Sequence, residues 1–142
     1  MFIAYVSKLV FMKSLLLFVV LFFHFPALVA FQGDIIDDLN GQFKAANSKD
    51  IATNFSGSVD LIIIDEEDVY SKAQGEQILR DFFIKHPPVK TSVFHKINNS
   101  PNYRFGVVIL NTSKETFRVS ITMKKVNNSF QITELRIETA KD

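Results

Sequence analysis

The part of the chain that follows Pro87-Pro88 consists of four strand-length runs, about Lys90–Ile97, Tyr103–Asn111, Glu115–Val126 and Ser129–Glu138, separated only by short breaks of Asn, Ser, Pro and Lys. Parallel neighbours need a crossover of a dozen or more residues, so connections this short join antiparallel strands. A chain carrying this part must build an antiparallel meander, and the segments before it must supply the cover for one of its faces.

Those earlier segments read as helices and one hairpin. Ile35, Ile36, Leu39, Phe43 and Ala46 recur at three- and four-residue spacing, which predicts an amphipathic helix, and Asp34, Asp37 and Asp38 suit the positive end of its dipole. Ser48 is expected to cap a second, short helix holding Ile51 and Phe55, after which Gly57 is expected to break the chain direction. The β-branched run Val59–Ile64 predicts a strand, with the acidic tetrapeptide Asp65-Glu-Glu-Asp68 as the turn that returns it through Val69-Tyr70. Those four carboxylates lack the Asx and Gly spacing of a calcium loop and read as a solvated turn. Ser71-Lys-Ala-Gln74 matches a capping box, opening a helix that buries Ile78, Leu79, Phe82 and Phe83 and is stopped by Pro87 and Pro88. The sum is an α+β fold, a curved antiparallel sheet with three helices on its concave face.

The first thirty residues differ in kind. Lys8 and Lys13 precede an uninterrupted apolar run, Leu15–Phe23, and a Pro26-containing stretch ends in Ala27-Leu-Val-Ala30, the three-part layout of a secretory signal. Residues 1–30 are therefore expected to be a signal peptide cut after Ala30, with residues 31–142 as a single exported domain, periplasmic or secreted. Met12 is an alternative start, and an uncleaved anchor is the competing reading of the same segment. A membrane is expected to be met only through this segment.

Composition narrows the function classes. Taking Lys8 and Lys13 from the 16 Lys plus Arg leaves 14 against 15 Asp plus Glu, a net charge of −1 for the domain. That balance offers no basic face for nucleic acid, and the Lys124-Lys125 pair is too short to make one. With no cysteine, disulfides, thiolate metal sites and cysteine nucleophiles are all excluded. Outside the leader only His86 and His95 remain, neither with a carboxylate at ligand spacing, so no metal site and no cofactor is expected. The Asn-x-Ser/Thr sequences at Asn54, Asn98, Asn111 and Asn127 read as Asn-rich turns.

The order of elements resembles the nuclear transport factor 2-like superfamily, or cystatin-like fold, a cone formed by a strongly bent sheet. More narrowly, Val69-Tyr-Ser-Lys-Ala-Gln74, Ile78-Leu-Arg-Asp-Phe-Phe83, His95, Phe117-Arg-Val119 and Ile132-Thr-Glu-Leu-Arg-Ile137 resemble a family of small exported bacterial proteins of unknown function, from about Gly33 to Thr139. The resemblance implies the fold and no catalytic assignment, because the superfamily hosts enzymes, binding modules and assembly domains alike. The Gln-x-Val-x-Gly hairpin of inhibitory cystatins is absent.

Four residues stand out as site candidates. Alternation along Val93, His95 and Ile97 predicts that His95 lines the inside of the cone, where an imidazole could act as acid or base, or be a satisfied core histidine. Arg118, out of phase with Phe117 and Val119, is expected on the opposite sheet face, where a guanidinium can grip a carboxylate. Tyr70 and Tyr103, with apolar bodies and polar tips, suit a pocket rim. The leading expectation is a non-catalytic module that binds a small apolar ligand or a protein partner, as a homodimer through the sheet. The rivals are a lyase or isomerase using His95 with Tyr70 or Tyr103, and a structural envelope or assembly protein.

Overall fold

A computed structural model describes residues 2–23 and 33–141, which form two separate compact units. The first is a single helix, α1 (Phe2–Phe23), which contains both lysines and the apolar run of the expected leader. The expected cleavage point at Ala30 lies outside the described residues.

The second unit begins with α2 (Ile35–Lys44) and α3 (Ser48–Thr53). These are followed by β1 (Phe55–Ile63), β2 (Glu66–Ser71) and α4 (Lys72–Lys85), and then by β3 (Pro88–Ile97), β4 (Tyr103–Thr112), β5 (Thr116–Val126) and β6 (Ser129–Thr139). One six-stranded, unclosed sheet runs in the order β2-β1-β6-β5-β4-β3. The four-strand meander stands as expected. All neighbours are antiparallel except β1 and β6, which pair parallel because the chain crosses from the first hairpin to the far edge through α4 and returns strand by strand.

Local chemistry sets the helix ends. The Asp34 carboxylate accepts from the Ile36 N–H at 2.9 Å, so this residue caps α2 instead of lying in its first turn. Asn47, not Ser48, caps α3: its side-chain oxygen accepts from the Asp50 N–H, while Ser48 is turned into the protein and buried. The Ser71/Gln74 capping box is fully formed on α4. His86 closes that helix, its N–H donating to the Phe82 carbonyl.

Two turn expectations are corrected. The first hairpin turns at Ile64-Asp65, and Glu66, Glu67 and Asp68 lie within β2 opposite Ile63, Ile62 and Leu61. The carboxylates of this exposed edge strand discourage pairing with another chain. Gly57 does not end an element; it sits inside β1, where the register with β6 shifts between Phe55 and Asp60. A glycine in a strand commonly marks such an irregularity. The β5–β6 turn uses Asn127 and Asn128, both with positive φ of 47° and 67°, the backbone of a two-residue type I′ connection.

One face of the sheet carries the helices. Ile36, Leu39 and Phe43 from α2, Ile51 and Ala52 from α3, and Leu79, Phe82 and Phe83 from α4 pack onto Phe55, Val59, Leu61, Val108, Leu110, Phe117, Val119, Ile121, Met123, Ile132, Leu135 and Ile137. Each fully buried large apolar side chain contributes about 1.5–3 kcal/mol. The layers meet closely enough that a Cβ on Gly75 would lie 2.8 Å from the Phe55 ring and one on Gly106 2.6 Å from Ile36. The space between helices and sheet is thus filled by side chains.

Candidate functional site

The four sequence-derived candidates do not assemble into one site. Along β3 the register against β4 shifts between Val93, opposite Val108, and His95, opposite Val107. The extra residue is Phe94, and it reverses the alternation beyond it. Lys96 therefore takes the helix-facing position opposite Gly106, while His95 is turned outward and exposed. The expectation that His95 lines the interior is corrected by this bulge, which nothing in the Val-Phe-His-Lys pattern announces.

Tyr70 is half-buried on the helix-facing side of β2, opposite Val59 and packed on the core. Tyr103 starts β4 opposite Lys124, half-buried. It lies on the outward face with His95, but four residues along β4 from Val107, about 13 Å at strand rise, well beyond hydrogen-bond reach. Tyr70 stands at the opposite edge of the sheet from His95. An acid and base set built from His95 with either tyrosine is therefore not formed. Arg118 is exposed on the outward face as expected, and its guanidinium stands 6.0 Å from the centroid of the Phe94 ring.

That outward face is the first of two regions with site character. Phe94 is 68% exposed and Ile97 38%, and they flank Phe105, Val107 and Ile109 on β4. Val107 is fully buried although it points away from every helix of the unit, so its neighbours on the sheet surface already form a small apolar centre. Towards β6 the same face turns ionic. Arg136 lies 3.2 Å from Glu138 and 3.9 Å from Glu134, and its pKa is raised chiefly by the hydrogen bond to Glu138. Among the described residues Arg118 has no carboxylate within 4 Å.

The second region is a cleft of about 380 Å³ between the β1–β2 turn and the C-terminal half of α4, lined by Ile63 to Glu66 and by Ile78, Asp81, Phe82, Lys85 and His86. At its end the His86 ring packs tilted against Phe82 and edge-on against Phe117, both with centroids at 4.9 Å, and its Nδ1 lies 3.1 Å from Oε1 of Glu115. Glu115 is presented by the β4–β5 turn, where its N–H donates to the Thr112 hydroxyl. The helix stop before Pro87 was legible in the sequence, but the partner twenty-nine positions on was not.

Among the described residues no group of three or more His, Cys, Asp or Glu side chains is placed to hold a metal ion. The remaining polar cluster is structural: Lys96 bridges Asp37 at 2.7 Å and Asp34 at 3.4 Å, and Asn98 donates to Asp34, fastening the start of α2 to β3.

A bent, open sheet with its helices on one face defines a cystatin-like, nuclear transport factor 2-like α+β domain. Solved structures agree. The chain matches a domain of unknown function with a cystatin-like fold from Nostoc punctiforme at 12% identity and TM-score 0.59, covering 72% of this chain and 71% of that one. An NTF2-like protein of unknown function from Shewanella baltica matches at 13% identity and TM-score 0.58, covering 76% and 90%. Within that class the chain belongs to the family described as domain of unknown function DUF4783, whose profile matches residues 36–138. A DUF4783 family protein from Bacteroides uniformis is 28% identical with TM-score 0.72, and the match covers 77% of this chain and 100% of that chain. The match spans the whole of that chain, which thus has about the size of the second unit of this one. No curated protein matches the chain.

Proposed function

We propose that this is a non-catalytic binding module of an exported protein, and that its partner is a second copy of the same domain, docked through the helix-free face of the sheet. The observation that carries the reading is an apolar patch that no helix covers, with Phe94 and Ile97 exposed and Phe105 and Ile109 half-buried around the buried Val107, while the interior is filled. A filled interior favours a protein partner over a small apolar ligand held inside the cone, and the scattered His95, Tyr70 and Tyr103 leave the lyase or isomerase reading without a catalytic set.

A second copy is favoured by the arrangement of charge. Arg118 borders the apolar row with no carboxylate within 4 Å among the described residues, and Glu134 and Glu138 stand on the next strand, Glu138 directly across from it. A two-fold axis lying across the strands at the level of Val107 and Ser120 would lay apolar row on apolar row and bring each Arg118 opposite the level of the partner's Glu134, one strand over, the self-complementarity an isologous dimer requires. Export rests on the Lys8, Lys13 and Leu15–Phe23 layout.

The test is the mass of the Gly33–Asp142 domain in solution by light scattering after size exclusion. A dimer that Phe94→Asp and Arg118→Glu each convert to a monomer with the far-ultraviolet circular dichroism of the folded domain, melting lower only by the lost contribution of pairing, is the expected result. A monomeric wild type, or a dimer indifferent to both changes, would remove the proposal.

A further inference from the structure

The cleft beside His86 has no part in sheet-face pairing, and its chemistry is of another kind. Its floor is apolar, made by Ile63, Ile78 and Phe82, and its walls are acidic, with Asp65 on the turn, Glu66 at the start of β2 and Asp81 on α4. Asp65, Glu66 and Lys85 form no ion pair among the described residues, and Asp81 only accepts a hydrogen bond from Gln77. Three carboxylates thus face one ammonium across the opening. They line the walls without converging at the spacing of a metal centre.

His86 closes one end of the cleft, its imidazole held between two phenyl rings with Nδ1 3.1 Å from Oε1 of Glu115. A volume of about 380 Å³ lies within the range of small-ligand sites, roughly 300–1,000 Å³. We infer that this cleft binds a small organic amine, its apolar stem laid on Ile63, Ile78 and Phe82 and its ammonium held among Asp65, Glu66 and Asp81. An anion of the same shape would meet uncompensated negative charge, so the site selects by sign as well as by size.

The test uses the Gly33–Asp142 domain with methyl-labelled isoleucine, titrated with hexylamine and, separately, with hexanoate while methyl and imidazole resonances are followed. Saturable shifts of the Ile64 and Ile78 methyls with hexylamine, absent with hexanoate, are expected. The exposed pair Asp65→Asn with Glu66→Gln should weaken hexylamine about five-fold or more, each lost charge contact being a partly solvated one. Phe94→Asp should leave binding unchanged, which separates this site from the sheet face. No saturable shift with hexylamine, equal shifts with hexanoate, or binding insensitive to the double substitution would overturn the inference.

Discussion

Gly106 on β4 lies directly beneath Ile36 of α2: a Cβ added to the glycine would stand 2.6 Å from Ile36 Cγ2 and 2.9 Å from its Cδ1. Ile36 is fully buried and cannot swing aside, so the contact sets how closely α2 sits on the sheet. Gly106→Ala should destabilise the domain by about 1–3 kcal/mol through overpacking. In an Ile36→Ala background the same change should cost far less, because the clashing atoms are gone. Urea midpoints of the four proteins of this cycle check it, and additive losses would show that the two positions do not touch.

Gly41 provides the opposite case on the same helix. It is exposed, and a Cβ there meets nothing within 4 Å. Gly41→Ala should stabilise the domain by up to about 1 kcal/mol from helix propensity alone. A melting temperature that falls instead would mean that the exposed side of α2 is not free.

Where local rules are strong, the sequence disclosed the fold. The Ser71/Gln74 box, the α2 stripe and the four-strand meander follow from spacings of three to four residues or from alternation, and each lies within a residue or two of its expected bounds. What escaped were features decided by pairing between distant segments. The Phe94 bulge is a feature of how β3 pairs with β4, and it exchanged the faces of His95 and Lys96. The parallel β1–β6 pair depends on the path through α4, and the His86–Glu115 contact on where the β4–β5 turn falls. Arg118 kept its expected face because β5 alternates regularly up to the shift at Thr122.

The carboxylate that caps α2 makes stability sensitive to acid. Burial raises the pKa of Asp34, but the hydrogen bonds from Asn98 and the Ile36 N–H, together with Lys96, outweigh it and hold the group below its ordinary 3.8. A depressed carboxylate contributes stability that is present above its unfolded pKa and is lost as pH falls through the folded one. Unfolding free energy should therefore decline as pH drops below about 4, and less steeply in Asp34→Asn, which keeps a capping side chain without the charge. Identical slopes for the two proteins would show that Asp34 is not held this way.

Lys96 is the other side of the same linkage. Its hydrogen bond to Asp37 is the main cause that raises its pKa above 10.5. A raised lysine contributes stability present below its unfolded pKa and lost as pH rises through the folded value, so its share should vanish only in strong alkali. Lys96→Met should remove the alkaline dependence while changing stability near neutrality only slightly, as the pair is largely solvated. Hydrogen exchange in the first turn of α2 reads the effect locally.

The turn that closes the first hairpin carries backbone strain. Ile64 has φ 58°, although it is β-branched, and its N–H donates to the Ile137 carbonyl at 2.7 Å, which fixes it against β6. Asp65 has no positive φ, so this two-residue connection has the form in which glycine is preferred at the first position. Holding a non-glycine residue there costs about 1–3 kcal/mol, against about 0.5–1 kcal/mol of extra chain entropy if glycine replaced it. Ile64→Gly should therefore stabilise the domain by about 1 kcal/mol while removing one wall of the cleft beside His86. A higher urea midpoint accompanied by weaker hexylamine binding would show the isoleucine to be kept for the cleft at the expense of the turn. A lower midpoint would show that its packing outweighs the strain.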